Sequence, residues 1–133
     1  MKSHAVASKR RTQRRLQLSA PSSIKRRLMS CHLNKTLRQT HKIRALPIKR
    51  GDEVKILKGK WKGKKGKVVQ VYRRRSIIHV DKIQREKQNG QTVFCPIRPS
   101  YCVIEKLLLN KDRKETIERR AAIKIKAGEK HKE

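Results

Sequence analysis

Lys58, Lys60, Lys62, Lys64, Lys65 and Lys67 are interleaved with Gly59, Gly63 and Gly66 around a single Trp61, and no acid interrupts the ten residues. Each ammonium is a point charge that can neutralise a phosphate without a fixed planar geometry. The glycines lack Cβ, so the backbone can turn through positive φ and bring N–H groups close to phosphate oxygens. A soluble surface needs charge, but not six lysines in ten residues. Trp61 has two readings that the sequence leaves open: it stacks on a splayed base or ribose, or it closes the open end of a small core. The loop lacks the spacing of a P-loop, so nucleotide hydrolysis is not indicated.

Other basic clusters carry the same chemistry. Arg73, Arg74 and Arg75 occupy a turn beyond the next strand, where forked guanidinium donors suit bidentate phosphate contacts. Arg85 and Lys87 are a weaker pair, because Glu86 lies between them. Upstream, Arg10, Arg11, Arg14, Arg15, Lys25, Arg26 and Arg27 complete the candidate RNA contacts. Nothing comparable supports catalysis. His4, His32, His41, His79 and His131 are scattered, and His32 beside Cys31 lacks further ligands at a fixed spacing. Asp52 and Glu53 are neighbours, so on a strand they project to opposite faces and cannot act as a paired acid and base. Asp52 is expected instead to anchor the turn at Gly51. The expectation is no enzyme, no metal and no cofactor.

The charge balance agrees. The 133 residues hold 39 Lys and Arg against 10 Asp and Glu, a net +29, and the pI is near 11.2. Such a chain repels itself and is suited to a dense polyanion, most commonly nucleic acid. Residues 1–51 contain 15 Lys and Arg and no acid. That third has no internal ion pairs to make and few apolar side chains, so it is expected to be disordered or loosely helical until it orders on its partner. The run Lys9 to Arg15 also fits a nuclear import signal. No stretch approaches the length of a membrane-crossing helix, and no apolar segment follows the basic N-terminus as in a secretion signal. Cys31, Cys95 and Cys102 form no CxxC and are expected to be reduced structural thiols.

Three parts must position these groups. A basic extension, residues 1–46, is expected to carry two short helical pieces, one with Ile24 and Leu28 on one face and one over 33–40 with Leu33 and Leu37 aligned. Residues 47–109 form the domain. Val54 and Ile56 alternate with polar neighbours, Gly66 to Tyr72 and Ile77 to Ile83 are further strands, and Thr92–Cys95 and Tyr101–Lys106 complete five. Asn89-Gly90 is a type I′ hairpin signal on the arm between the third and fourth. Five short strands in about sixty residues predict a mainly β protein, a small, highly bent barrel filled by roughly twenty apolar side chains. Residues 110–133 form a helical tail, with Asn110 and Asp112 as caps, Ile117, Ala121 and Ile125 on one face, and Glu115 paired with Arg119.

The segment GDEVKILKGKWKGKKGKVVQVY resembles a KOW motif, the strand-loop-strand unit of several ribosomal proteins and transcription elongation factors. The flanks narrow the resemblance: APSSIKRRLMS at 20–30, LNKTLRQ at 33–39, RALPIKRGDEV at 44–54, VQVYRRRSIIHVDKIQREKQNG at 69–90 and IRPSYCVIEKLLLNKDRKETIERR at 97–120. From about Ala20 to Arg120 the chain is similar to the universal large-subunit ribosomal protein family twenty-four, in its eukaryotic and archaeal form. That resemblance implies an SH3-like (KOW) barrel that binds the 5′ domain of large-subunit rRNA early in assembly, near the rim of the peptide exit tunnel. It also implies rRNA contacts by the Gly63 loop and the N-terminal extension, with the QREKQNG hairpin on the exposed surface. The implied partners are rRNA, neighbouring large-subunit proteins and exit-site factors, with no membrane and no homo-oligomer. The implied location is the cytoplasmic ribosome, reached through the nucleolus in a eukaryote. The alternative is a KOW-domain transcription elongation factor, which should carry a separate, less basic polymerase-binding domain.

Overall fold

The computed structural model describes residues 9–129; His4 and His131 lie outside them. In chain order the elements are α1 (Arg10–Ser19), α2 (Ser22–Leu28), β1 (Ser30–Leu33), α3 (Lys35–His41), β2 (Ala45–Pro47), β3 (Glu53–Ile56), β4 (Lys65–Tyr72), β5 (Ile77–Val80), β6 (Gln84–Glu86), β7 (Thr92–Phe94), a 3-10 turn (Pro99–Tyr101), β8 (Cys102–Lys106) and α4 (Lys111–Glu129). The architecture is mixed helix and strand around a sheet-rich core, and not mainly β. The segments flanking the core are built largely of Arg, Lys, Gln, Glu and Ala, which lose little side-chain freedom in a helix, so α1 and α4 add helix at both ends.

The main sheet has the order β2-β1-β8-β3-β4-β5. β3, β4 and β5 form an antiparallel meander, β8 returns antiparallel to β3, and β1 runs parallel to β8. The ladder is open among the described residues, with β2 and β5 at its edges, although an isolated bridge from Ile78 to Ile97 folds the segment after β7 onto β5. β6 and β7 form a separate two-stranded ribbon.

Among the described residues, ten of the sixteen buried apolar side chains come from 47–109. Met29, Cys31, Leu33, Ile43 and Leu46 come from before it and Ile117 from α4. The N-terminal third is therefore not poor in buried side chains: its last portion supplies two strands and part of the core. Burying a Leu, Ile or Met side chain is worth about 1.5–3 kcal/mol, so Met29, Leu33, Ile43 and Leu46 anchor residues 29–46 to the sheet. Leu33 ends β1 instead of opening a helix. The Asn34 side chain accepts a hydrogen bond from the Lys35 N–H at 2.7 Å, and α3 starts at Lys35, two residues later than expected.

β4 carries a β-bulge. Its pairing with β5 shifts register between Val68 and Gln70. An extra residue there breaks strict alternation, so Val68 is buried and Val71 packs against the same core. The hairpin at Asn89-Gly90 also differs from the expected two-residue turn. Only Gly90 has positive φ, at 79°, while the Gly90 N–H bonds the Lys87 carbonyl at 3.0 Å and the Lys87 N–H bonds the Gln91 carbonyl at 2.9 Å. That geometry fits a three-residue loop ending in a left-handed glycine.

α4 is locked down by a buried ion pair. Arg113 Nη1 donates to Asp52 Oδ1 at 2.5 Å and Nη2 to Oδ2 at 2.8 Å. Ile117 is buried and Ala121 packs on the core, whereas Ile125 is exposed. The expected Glu115–Arg119 pair is not among the ion pairs of the described residues.

Candidate nucleic-acid interface

The glycine-lysine loop is the tip of the β3–β4 hairpin, whose register places Glu53 opposite Lys67 and Val54 opposite Gly66. Gly59 and Gly63 have φ of 92° and 87°, and a Cβ at either would meet open space. Their positive φ makes the turn, as the sequence predicted. The backbone donors are less available than expected: Lys62 N–H bonds Gly59 O at 3.1 Å, Gly63 N–H bonds Ile56 O at 2.8 Å, and Lys64 N–H bonds Trp61 O at 3.2 Å. The N–H groups of Gly59 and Lys60 have no such backbone partner among the described residues. Gly66 is a strand residue without positive φ, and a Cβ there would lie 2.6 Å from Val80 Cγ1. It serves close packing of β4 on the core and not the turn.

Trp61 is half-buried and packs against the core cluster. Lys64 Nζ lies 4.6 Å and Lys60 Nζ 5.8 Å from its ring centre, so the indole also holds two cations in place. Lys58, Lys60 and Lys62 are exposed and make no ion pair among the described residues. Lys65 instead reaches Glu105 at 2.7 Å, a surface pair worth about 0–1 kcal/mol.

A second basic patch lies at the other end of β4, about 25 Å away for an eight-residue strand. There α1, α2 and the Arg73–Arg75 turn converge. Arg73 Nη1 donates to Ser22 Oγ at 3.2 Å. Arg14, Lys25, Arg74, Arg75 and Arg98 line one cleft of about 450 Å³ with no acid in its wall. Arg10, Arg11, Arg14 and Arg15, at spacings of one and four residues, share one flank of α1. Arg26 and Arg27 are exposed on α2, as are Ile24 and Leu28, so that apolar stripe does not dock on the core. α1 buries no residue at all. Arg85 stands apart on the β6–β7 ribbon beside Glu86 and Lys87.

The structure adds basic residues that sequence reasoning passed over. Arg98 joins Arg14, Arg74 and Arg75, and Lys49 and Arg50 join Arg73, Arg74 and Arg75 across a neighbouring groove. No local signal marks Arg98, which stands alone between Ile97 and Pro99.

Two of the three thiols, Cys31 and Cys102, are buried and structural, while Cys95 is half-buried. Cys31 Sγ donates to Cys102 O at 2.9 Å across the β1–β8 pair. Burial pushes Cys31 up from 9.0 to about 12, and burial likewise raises Cys102 to about 11. Neither is a reactive thiolate near neutral pH. Among the described residues no group of three or more His, Cys, Asp or Glu is placed to hold a metal ion.

A family profile described as eukaryotic ribosomal proteins L26 and their archaeal counterparts matches residues 7–120. The chain belongs to this ribosomal L26 family. It is 44% identical over 123 residues to the large ribosomal subunit protein uL24 of Littorina littorea, a match covering 92% of this chain and 85% of the relative. It is 48% identical over 117 residues to the large ribosomal subunit protein uL24 of Caenorhabditis elegans, covering 88% and 82%. Every candidate RNA contact and the Asp52–Arg113 pair fall inside the span matched by the family profile.

Proposed function

We propose that the chain is a structural constituent of the large ribosomal subunit that binds rRNA and performs no chemistry of its own. The observation that carries this reading is membership of the ribosomal L26 family, with both relatives named as large-subunit proteins. Two basic patches at opposite ends of β4 supply the mechanism. Lys58, Lys60 and Lys62 neutralise phosphates at one end. Arg14, Lys25, Arg74, Arg75 and Arg98 do so at the other, so that RNA helices held apart by charge can approach on either side of one rigid strand. Trp61 stiffens the first patch from below, and any base that stacks on it does so on its exposed side.

The core is read as an SH3-like barrel that is incompletely closed. Support comes from the β3-β4-β5 meander, the return of β8 to β3 and the Ile78–Ile97 bridge. In the division of labour, residues 1–46 are a basic rRNA-binding extension whose final portion is built into the core, 47–109 are the KOW barrel, and 110–133 are the tail, whose helix α4 is clamped by Arg113. Binding to the 5′ rRNA domain early in assembly, a place near the exit-tunnel rim, contacts with neighbouring subunit proteins and exit-site factors, and passage through the nucleolus to cytoplasmic ribosomes complete the reading. Neither relative is named as a transcription factor, so the elongation-factor alternative has no comparable support. A filter-binding comparison tests the rRNA assignment. The chain should bind a 5′-domain transcript more tightly than transcripts of the other large-subunit rRNA domains at the same salt concentration, and equal affinities would contradict the domain assignment.

A further inference from the structure

Only four Phe, Trp or Tyr side chains occur in the chain, and two of them flank one histidine. The Tyr72 and His79 rings meet edge to face with centroids 4.9 Å apart. His79 in turn stacks on Phe94 at 5.5 Å and 17°. The His79 Nδ1 is buried without a hydrogen-bond partner among the described residues. Contacts with the Tyr72 and Phe94 rings, and no bond from that nitrogen, hold the imidazole in place.

Tyr72 and His79 line a groove of about 960 Å³. Arg73, Arg74, Arg75, Lys49 and Arg50 also line it, and no acid does. Gln70 and Asn110 add side-chain amides, while Val69, Val71 and Leu108 supply apolar wall. Cations alone would suit any phosphate, and aromatic and apolar walls alone would suit any flat apolar ligand. Their combination, with amides able to read a base edge, matches a nucleotide with its flanking phosphates. Bases stacked in a duplex cannot offer their faces to such a wall, so the groove selects an unpaired one.

We propose, building on the rRNA-binding reading above, that this groove holds an unpaired nucleotide of an RNA strand, with its base against Tyr72 and His79 and its flanking phosphates on Arg73–Arg75 and Lys49–Arg50. Tyr72 is 36% exposed at the end of β4, so its replacement spares the core. In the full-length chain, Tyr72→Leu weakens binding of single-stranded octa-adenylate by about five- to 150-fold, the range for losing one base–aromatic stack, and leaves binding of an RNA duplex of equal length unchanged. Tyr72→Phe keeps the ring and keeps the affinity.

A second measurement needs no variant. Ring-proton resonances of Tyr72 and His79 in the unaltered chain shift upfield on adding octa-adenylate and stay in place on adding the duplex. No loss in Tyr72→Leu, equal losses for single strand and duplex, or unmoved ring resonances would each overturn the groove. Should the unaltered chain bind neither probe nor a 5′-domain transcript, the broader rRNA-binding reading falls with it. Retained transcript binding with unmoved rings removes the groove alone.

Discussion

Asp52 and Arg113, 61 residues apart in sequence, meet fork to fork inside the protein. Asp52 is fully buried and Arg113 is 4% exposed. Both carboxylate oxygens are further satisfied, Oδ2 by the Lys49 N–H at 3.0 Å and Oδ1 by the Leu108 N–H at 3.1 Å. The guanidinium also donates to Leu108 O at 3.0 Å and Pro47 O at 3.3 Å. A single pair thus joins the turn before β3, the segment after β8 and the first turn of α4.

Removing one partner leaves the other charge buried and unpaired. Arg113→Ala should cost about 3–5 kcal/mol in urea unfolding. The double change Asp52→Asn, Arg113→Met should recover part of the loss, because neither charge then remains buried. A loss below about 1 kcal/mol in the single variant would mean that the pair does not hold α4.

Glycines in one hairpin should respond for different reasons. Gly66→Ala forces a Cβ to within 2.6 Å of the stiff, buried Val80, and overpacking of this kind costs about 1–3 kcal/mol. Gly63→Ala meets no atom but must hold φ of 87°, a strain of about 1–2 kcal/mol. Thermal unfolding of the two variants should rank Gly66→Ala as the more damaging.

The raised thiols set a pH dependence. The folded chain keeps the Cys31 and Cys102 protons above pH 9.0, where the unfolded chain releases them. The unfolded state therefore loses protons first, and stability from these sites is intact below the unfolded value and is lost as pH rises toward the folded values of about 11 and 12. Relief of lysine repulsion acts in the opposite direction, so the informative quantity is a difference. The stability advantage of the chain over a Cys31→Ala, Cys102→Ala variant should shrink over that window in urea titrations. An advantage that stays constant would contradict the burial of the thiols.

Phosphate neutralisation by the loop predicts a change in slope. Replacing Lys58, Lys60, Lys62 and Lys64 by Ala should flatten the dependence of log affinity on log salt, for a 5′-domain transcript, by up to about three. The second patch should keep some binding in place. An unchanged slope would mean that the loop touches no phosphate.

Where the chain alternates, its sequence foretold its structure. Val54 and Ile56 on β3 and Ile78 and Val80 on β5 follow the period of two that a half-buried strand imposes. β1 was hidden because SCHL is four residues long and its inward positions are a thiol and one leucine. β2 was hidden because its last residue is proline. The bulge at Val68–Gln70 moved Val71 onto the core side, which no local pattern encodes. The lysine and arginine runs were legible from charge alone, yet their grouping was not. Arg14, Arg74 and Arg98 come together only because α1 and the segment after β7 both lie beside one hairpin turn, and such long-range proximity leaves no trace in spacing. Asp52 was legible as a turn anchor, but not as the partner of Arg113.

Sedimentation of a cell lysate tests the central claim most directly. Probed for this chain, a sucrose gradient should place nearly all of it with large subunits, whole ribosomes and polysomes, and high salt should release it from isolated subunits only when both basic patches are weakened. A major pool at the top of the gradient, or one travelling with RNA polymerase, would contradict a structural role in the large subunit.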